Sequence, residues 1–369
     1  MAEKKDNGTN ENIDFLDKGD VSKWMDPGTE RKQSLEGFDE DYVDIVDYIL
    51  RCTHKIWEEH GIGLINTHYQ HNIQIWTSAG LTYGRDAVIA GTGMVQAAFP
   101  DVRLYGDDVI WTGDDKEGFH TSHRISWVGH NTGYSIYGPP TGRKIYRFGI
   151  ANCLVKENLI FEEWIARDEL GLITQLGFDP WKTAARMVRQ EQAKGLSSQV
   201  EGEIERKQGQ LPPVEASMKD GPFDVADFVY TTMHRIWNWR LLNIINTYYV
   251  PNYLFHGPAG RELYGTGSLK AFILSMISAF PDLTASIDHL YYNGNEKDGY
   301  RVMTRWTLRG THEGPGIYGK PTGKRIQIMV ISHQHIKDGK YIKEWTTFDE
   351  FVLLKQLYSP EIHGYEEED

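Results

Sequence analysis

Two cysteines in 369 residues, Cys52 and Cys153, are too few for a disulfide scaffold and lack the paired spacing of a thiolate metal site. Basic charge is also scarce. Lys and Arg number 39 against 52 Asp and Glu, a net charge of −13, and no Lys/Arg stripe interrupts the balance. That excludes nucleic acid, whose binding needs cations to displace counterions from phosphates. The best apolar run, AFILSMISAF at 271–280, is half of what crosses a bilayer, and MAEKKDNGTN at the start has no apolar signal core. No membrane contact is expected, and the chain is placed in the cytoplasm. Helical H-E-x-x-H is missing too. The close histidines (His333 with His335, His120 with His123, His68 with His71) supply two ligands where zinc needs three or four. GTGMVQ at 91–96 lies inside a helical pattern and not after a strand, so it cradles no phosphate. Neither metal nor organic cofactor is expected.

What the chain does contain, it contains twice. YGPPTGRKI at 137–145 returns as YGKPTGKRI at 318–326, a separation of 181 (318 minus 137). HKIW at 54–57 faces HRIW at 234–237, and INTHY at 65–69 faces INTYY at 245–249, both at 180. After one inserted residue, FPD at 99–101 meets FPD at 280–282, Glu163-Trp164 meets Glu344-Trp345, and Asp168 meets Asp349. Matches from end to end with a single insertion define a tandem duplication. The expected division is a polar, flexible arm (1–40), module one (41–180), a connector with a helix over KTAARMVRQEQAKG (181–220), module two (221–360) and an acidic tail (361–369).

Each module opens with an amphipathic helix: Ile45, Val46, Ile49, Ile56 and Trp57 recur at helical spacing, as do Val225, Val229, Ile236 and Trp237. Asp44 and Asp224 suit its N-terminus. A second helix ends before FPD. Strands follow in YRVMTRWTLRGTH, RIQIMVISHQHI and KYIKEWTTFDEF, the last two joined by KDGK. Helices followed by an antiparallel meander indicate α+β, here two tandem cone-shaped barrels, each a curved antiparallel sheet wrapped over its N-terminal helices.

The order of helix, helix, FPD, GTHEG, YGKPTGKRI, DGKYIKEW and then Asp349 resembles the SnoaL-like polyketide cyclases of the nuclear transport factor 2-like superfamily. The resemblance implies a cofactor-independent enzyme acting on a small carbonyl-bearing molecule, with an aspartate near Asp349 as acid/base in an aldol ring closure. It also implies that cones pair through the outer faces of their sheets, either within this chain as a pseudo-dimer or between chains as a homo-oligomer.

Strand alternation sets Trp345, Thr347 and Asp349 on one face, and Trp164, Ala166 and Asp168 on the matching one. If that face is the pocket, burial raises the acid's pKa toward neutrality, where it can shuttle a proton. Asp349 equally fits an N-cap for the helix EFVLLKQL. His312 and His333 add imidazoles in module two, where module one has Asn131 and Asn152, so module two is the expected catalyst. Arg124 and Arg305 sit in mid-strand, either to orient a ligand or to pair with Glu163 and Glu344. GTHEGPGIYGKPTG fits either a substrate loop over the cone mouth or a hairpin whose Pro-Thr-Gly only serves the turn. The Arg-x-Asp pair of an epoxide-opening version is missing at both arginines. The competing function is a binding or scaffold protein whose cones hold a ligand, or each other, without chemistry; isomerisation or hydrolysis in the same pocket is a further variant.

Overall fold

The computed structural model describes residues 28–200 and 218–364. Module one runs α1 (Ile45–Trp57), α2 (Ile65–His68), β1 (Tyr69–Thr77), β2 (Gly80–Tyr83), α3 (Arg85–Ala98), β3 (Arg103–Asp114), β4 (Gly118–His130), β5 (Lys144–Lys156), β6 (Leu159–Arg167) and α4 (Glu169–Leu176). The connector helix α5 (Pro180–Ala193) follows. Module two repeats the series as α6 (Val225–Met233), α7 (Ile245–Tyr248), β7 (Tyr249–Gly257), β8 (Arg261–Tyr264), α8 (Gly265–Ala279), β9 (Thr284–Asn295), β10 (Gly299–Thr311), β11 (Arg325–Lys337), β12 (Lys340–Phe348) and α9 (Glu350–Leu357), with a last turn α10 (Pro360–His363). No helix among the described residues is long and apolar enough to cross a membrane.

The sheets have the orders β2-β1-β6-β5-β4-β3 and β8-β7-β12-β11-β10-β9. The meander is antiparallel as expected, but β1 joins β6, and β7 joins β12, in parallel. Each sheet is therefore mixed. The pair β1–β2 and its counterpart carry too little alternation to stand out in the sequence, and they extend the meander by one hairpin. Local chemistry fixes the rest. Asp44 accepts the Asp47 N–H and Asp224 those of Ala226 and Asp227, so both opening helices are capped where the sequence puts an acid. At KDGK, Asp338 and Gly339 have φ of 52° and 65°, the left-handed pair that a two-residue hairpin demands.

The repeated Pro-Thr-Gly is architecture. Gly142 and Gly323 both have φ of 66°, and each turn is pinned by the residue that closes the preceding strand. Asn131 Oδ1 accepts from Thr141 N at 2.9 Å, and His312 Nδ1 accepts from Thr322 N at 3.3 Å. Asparagine and histidine thus do one job in the two modules, which accounts for their exchange.

Residues 28–40 are not a free arm. Leu35 and Phe38 are buried in the core of module one, with the Phe38 ring 5.1 Å from Tyr48 and 5.9 Å from Phe119. The rest of the expected arm, residues 201–217 of the connector and 365–369 of the tail lie outside the described residues.

The two sheets pack outer face on outer face. Arg124 lies 3.9 Å over the Trp345 ring of the other module, and Arg305 lies 3.8 Å over Trp164. Between these reciprocal stacks run Ile110, Ile150, Ala166, Met303 and Ile331. Trp111 and Asn293 exchange two hydrogen bonds of 2.9 Å, and Arg301 pairs with Asp108 at the buried edge. A guanidinium over a desolvated indole is worth about 1–2 kcal/mol. Arg124→Ala and Arg305→Ala are therefore each expected to lower unfolding stability by about that much, and by similar amounts, in urea denaturation. Losses near zero, or a large one confined to a single site, would count against the seam.

Candidate active site

Where β12 packs decides the site. Its two faces are both buried, for different reasons. Trp345 and Thr347 face module one, while Glu344, Thr346 and Phe348 face the inside of the cone, with Trp306 and Gln334. The expected pocket face is thus the seam, and the corrections follow from it. Trp164, Trp345, Arg124 and Arg305 stack across the seam, not against Glu163 or Glu344. His333 and Asn152 meet there through one hydroxyl: Ser122 Oγ is 2.6 Å from Asn152 Oδ1 and 2.7 Å from His333 Nε2. His333 and His335 face Asp108, and His120 lies against His289 at 4.8 Å.

Asp349 and Asp168 are helix caps. Asp349 accepts the Val352 N–H at 2.9 Å, and Asp168 accepts those of Gly171 at 2.9 Å and, across the seam, Ala259 at 2.8 Å. Burial first, then the neighbouring Glu169, pushes Asp349 up to about 7. The imidazoles, however, are engaged elsewhere. His312 bonds the Thr322 turn and packs on Phe280, and His333 bonds Ser122 and Asp108. These candidates do not form one constellation.

A different acid stands in each lumen. In cone two it is Glu344, which accepts from Tyr253 O–H at 2.8 Å and from Thr346 O–H. Thr346 is 2.6 Å from Ser332, which in turn accepts the Trp306 indole N–H at 3.1 Å. Burial raises the Glu344 pKa against these bonds. The Glu344 carboxylate is thus engaged on both sides, and the cavity left is about 30 Å³, room for about two waters.

Cone one differs position by position. Trp306, Met276, Phe272 and Phe348 are replaced by Ile125, Val95, Gly91 and Arg167. Ile125, Val95 and Arg167 are half-buried, whereas Trp306, Met276 and Phe348 are buried. The lining of cone one is accordingly less buried at these positions. Its acid, Glu163, is 7% exposed and accepts no hydrogen bond among the described residues. Burial, opposed by Arg167, lifts it to about 7. Around it lie Tyr69, Cys52 and Cys153, whose pKa values its charge helps to raise. The Tyr69 hydroxyl and the Arg167 guanidinium also make no hydrogen bond among the described residues. Trp57 and Trp127 form a wall, ring centroids 6.0 Å apart. An uncommitted carboxyl titrating near neutrality beside a free phenol is a proton-transfer arrangement.

Two six-stranded mixed sheets, each with its helices, match the nuclear transport factor 2-like α+β cone fold. Within it, the chain belongs to the SnoaL-like polyketide cyclase family, whose model matches residues 47–176 and 227–357. Similar solved structures include wild-type IdmH from Streptomyces antibioticus, 22% identical, covering 37% of this chain and 99% of that one, TM-score 0.32. TsrD from Streptomyces laurentii is 21% identical, covering 37% and 98%, TM-score 0.33. A SnoaL-like polyketide cyclase from Agrobacterium tumefaciens is 15% identical, covering 37% and 99%, TM-score 0.30. No curated protein matches the chain.

The state of Glu163 has a stability signature. Its folded pKa lies above its unfolded one, so its contribution is fully present at acid pH and is lost as pH rises through about 7. Glu163→Gln is expected to melt above wild type at pH 8, by an amount on the order of 3 kcal/mol, and to show no such advantage at pH 4. Parallel melting curves for the two proteins at both pH values would contradict a sheltered, unpaired carboxyl.

Proposed function

We propose that the chain is a cofactor-independent acid–base enzyme of the cyclase type, acting on a small carbonyl-bearing molecule, and that the chemistry belongs to cone one. The observation that carries it is the contrast between the two lumen acids. Glu344 is saturated with donors in a nearly filled cavity, while Glu163 is buried, unbonded and poised near neutrality.

In this mechanism the Glu163 carboxylate takes a proton from the carbon next to a carbonyl. The C–H electron pair moves onto oxygen, where the Tyr69 O–H donates to the enolate. The enolate carbon attacks a second carbonyl of the same molecule, forming the carbon–carbon bond. Glu163 then returns its proton to the alkoxide. Trp57 and Trp127 hold a flat substrate and keep water from the enolate. The imidazoles of module two favour cone two when only the sequence is considered, but both are bonded away from its lumen. Cone two itself fits the alternative role of a non-catalytic module that holds its partner in shape.

Exchange of the α-protons of methyl 4-acetylbenzoate in D₂O, followed by proton NMR, tests the assignment. Wild type is expected to accelerate exchange with a rate that rises through pH of about 7, since the base must be ionised. Glu163→Gln should lower that rate about 10²- to 10⁴-fold. Glu344→Gln and Asp349→Asn should leave it within a few-fold, the latter because asparagine caps a helix as well as aspartate does. Retained exchange in Glu163→Gln, or its loss in Asp349→Asn alone, would sink the proposal.

A further inference from the structure

The wall of cone one carries two guanidiniums where cone two carries hydrocarbon. Arg147 stands at the position of Ile328 and Arg167 at that of Phe348, one from each of two neighbouring strands. Arg147 is committed. It lies 4.0 Å over the Trp127 ring and donates to Glu169 at 2.7 Å, and the same carboxylate accepts the Tyr137 O–H at 2.7 Å. Cone two shows what a balanced version looks like. There Glu350, the counterpart of Glu169, receives both prongs of Arg261 and the Tyr318 O–H, and no further arginine follows. Arg167 is thus surplus. It is half-buried, makes no hydrogen bond among the described residues, and shares its neighbourhood with Arg147, Glu169, Glu163 and Tyr137. Of the nearby acids, Glu169 is taken by Arg147 and Tyr137, Asp168 is taken by two backbone N–H groups, and Asp349 caps α9, while Glu163 feels the Arg167 charge but makes no hydrogen bond or ion pair with it among the described residues. A guanidinium held this way is an unfilled fork for a planar anion.

From this geometry we infer that cone one selects substrates bearing a carboxylate, which docks on Arg167 while the reacting carbonyl lies deeper, at Glu163 and Tyr69. The inference rests on cone one being the reactive lumen, and it adds the substrate class. Glu163 and Arg167 are four residues apart on one strand, hence on the same face and about 13 Å apart at Cα, a span that two facing side chains reduce to the length of a small keto acid. The carboxylate replaces water at Arg167, and its charge offsets the one left unmatched by Glu169.

The pair 4-acetylbenzoate and its methyl ester probes this with the full-length protein, binding being followed by calorimetry. Wild type is expected to bind the acid at least about tenfold more tightly than the ester, the size of a charge-assisted bidentate contact. Arg167→Phe, which installs the residue of cone two, should abolish that preference while leaving affinity for the ester unchanged, and Arg167→Lys should restore part of it. Arg167→Gln serves the same comparison should the phenylalanine variant not fold. Equal affinity for acid and ester in wild type, or an unchanged preference in Arg167→Phe, overturns the inference. If the preference disappears as expected but Glu163→Gln exchanges protons normally, the anion site stands and the assignment of the acid falls. Absence of saturable binding by either probe overturns both.

Discussion

The exchange of arginines between the modules, each guanidinium lying over the other module's tryptophan, is the contact on which the arrangement turns. It covers the outer faces of two sheets that would otherwise present a row of strand side chains to water. Around it, groups that are costly to bury become affordable, because each finds its partner across the seam: Arg301 with Asp108, Asn293 with the Trp111 backbone, His333 with Ser122. Once those faces are committed to each other, each sheet keeps its lumen as the concave surface on its other side. The location of any chemistry follows from a packing decision made on the opposite side of the sheet.

Much of this was legible in the sequence. The duplication, the single insertion, the helix caps at Asp44 and Asp224, the order of helices and meander and the KDGK hairpin are set by contacts a few residues apart. The site was harder, and β12 explains why. Period-two alternation separates Trp345 and Thr347 from Glu344 and Thr346, but it does not say which set looks inward. A tryptophan suggests an interior, and here it does lie in an interior, the one between modules. The signal that could have redirected attention was the repeated glutamate itself. Glu163 and Glu344 recur on the opposite face in both modules, where a charged residue beside aromatics has no solvent to reach. The parallel β1–β6 pairing was out of reach for a different reason, since it depends on a non-local edge.

Asparagine and histidine in the paired positions teach a related lesson. Asn131 and His312 look like the loss of an acid–base group when compared by chemistry. Compared by geometry they are the same peg, a side-chain acceptor for the Pro-Thr-Gly turn. Asn152 and His333 are likewise two ends of one chain of contacts through Ser122. A second asymmetry lies in bulky apolar residues of cone two that become small or cationic in cone one.

Joining both halves of the seam by one polypeptide has a consequence for how the copies diverge. A pair of separate cones must retain identical surfaces, since every substitution appears on both sides of the axis at once, and dilution pulls the pair apart. Here association is intramolecular, its effective concentration set by the tether. Each copy is free to drift alone. One cup can fill with tryptophan and phenylalanine while its twin takes smaller or charged residues at the same positions.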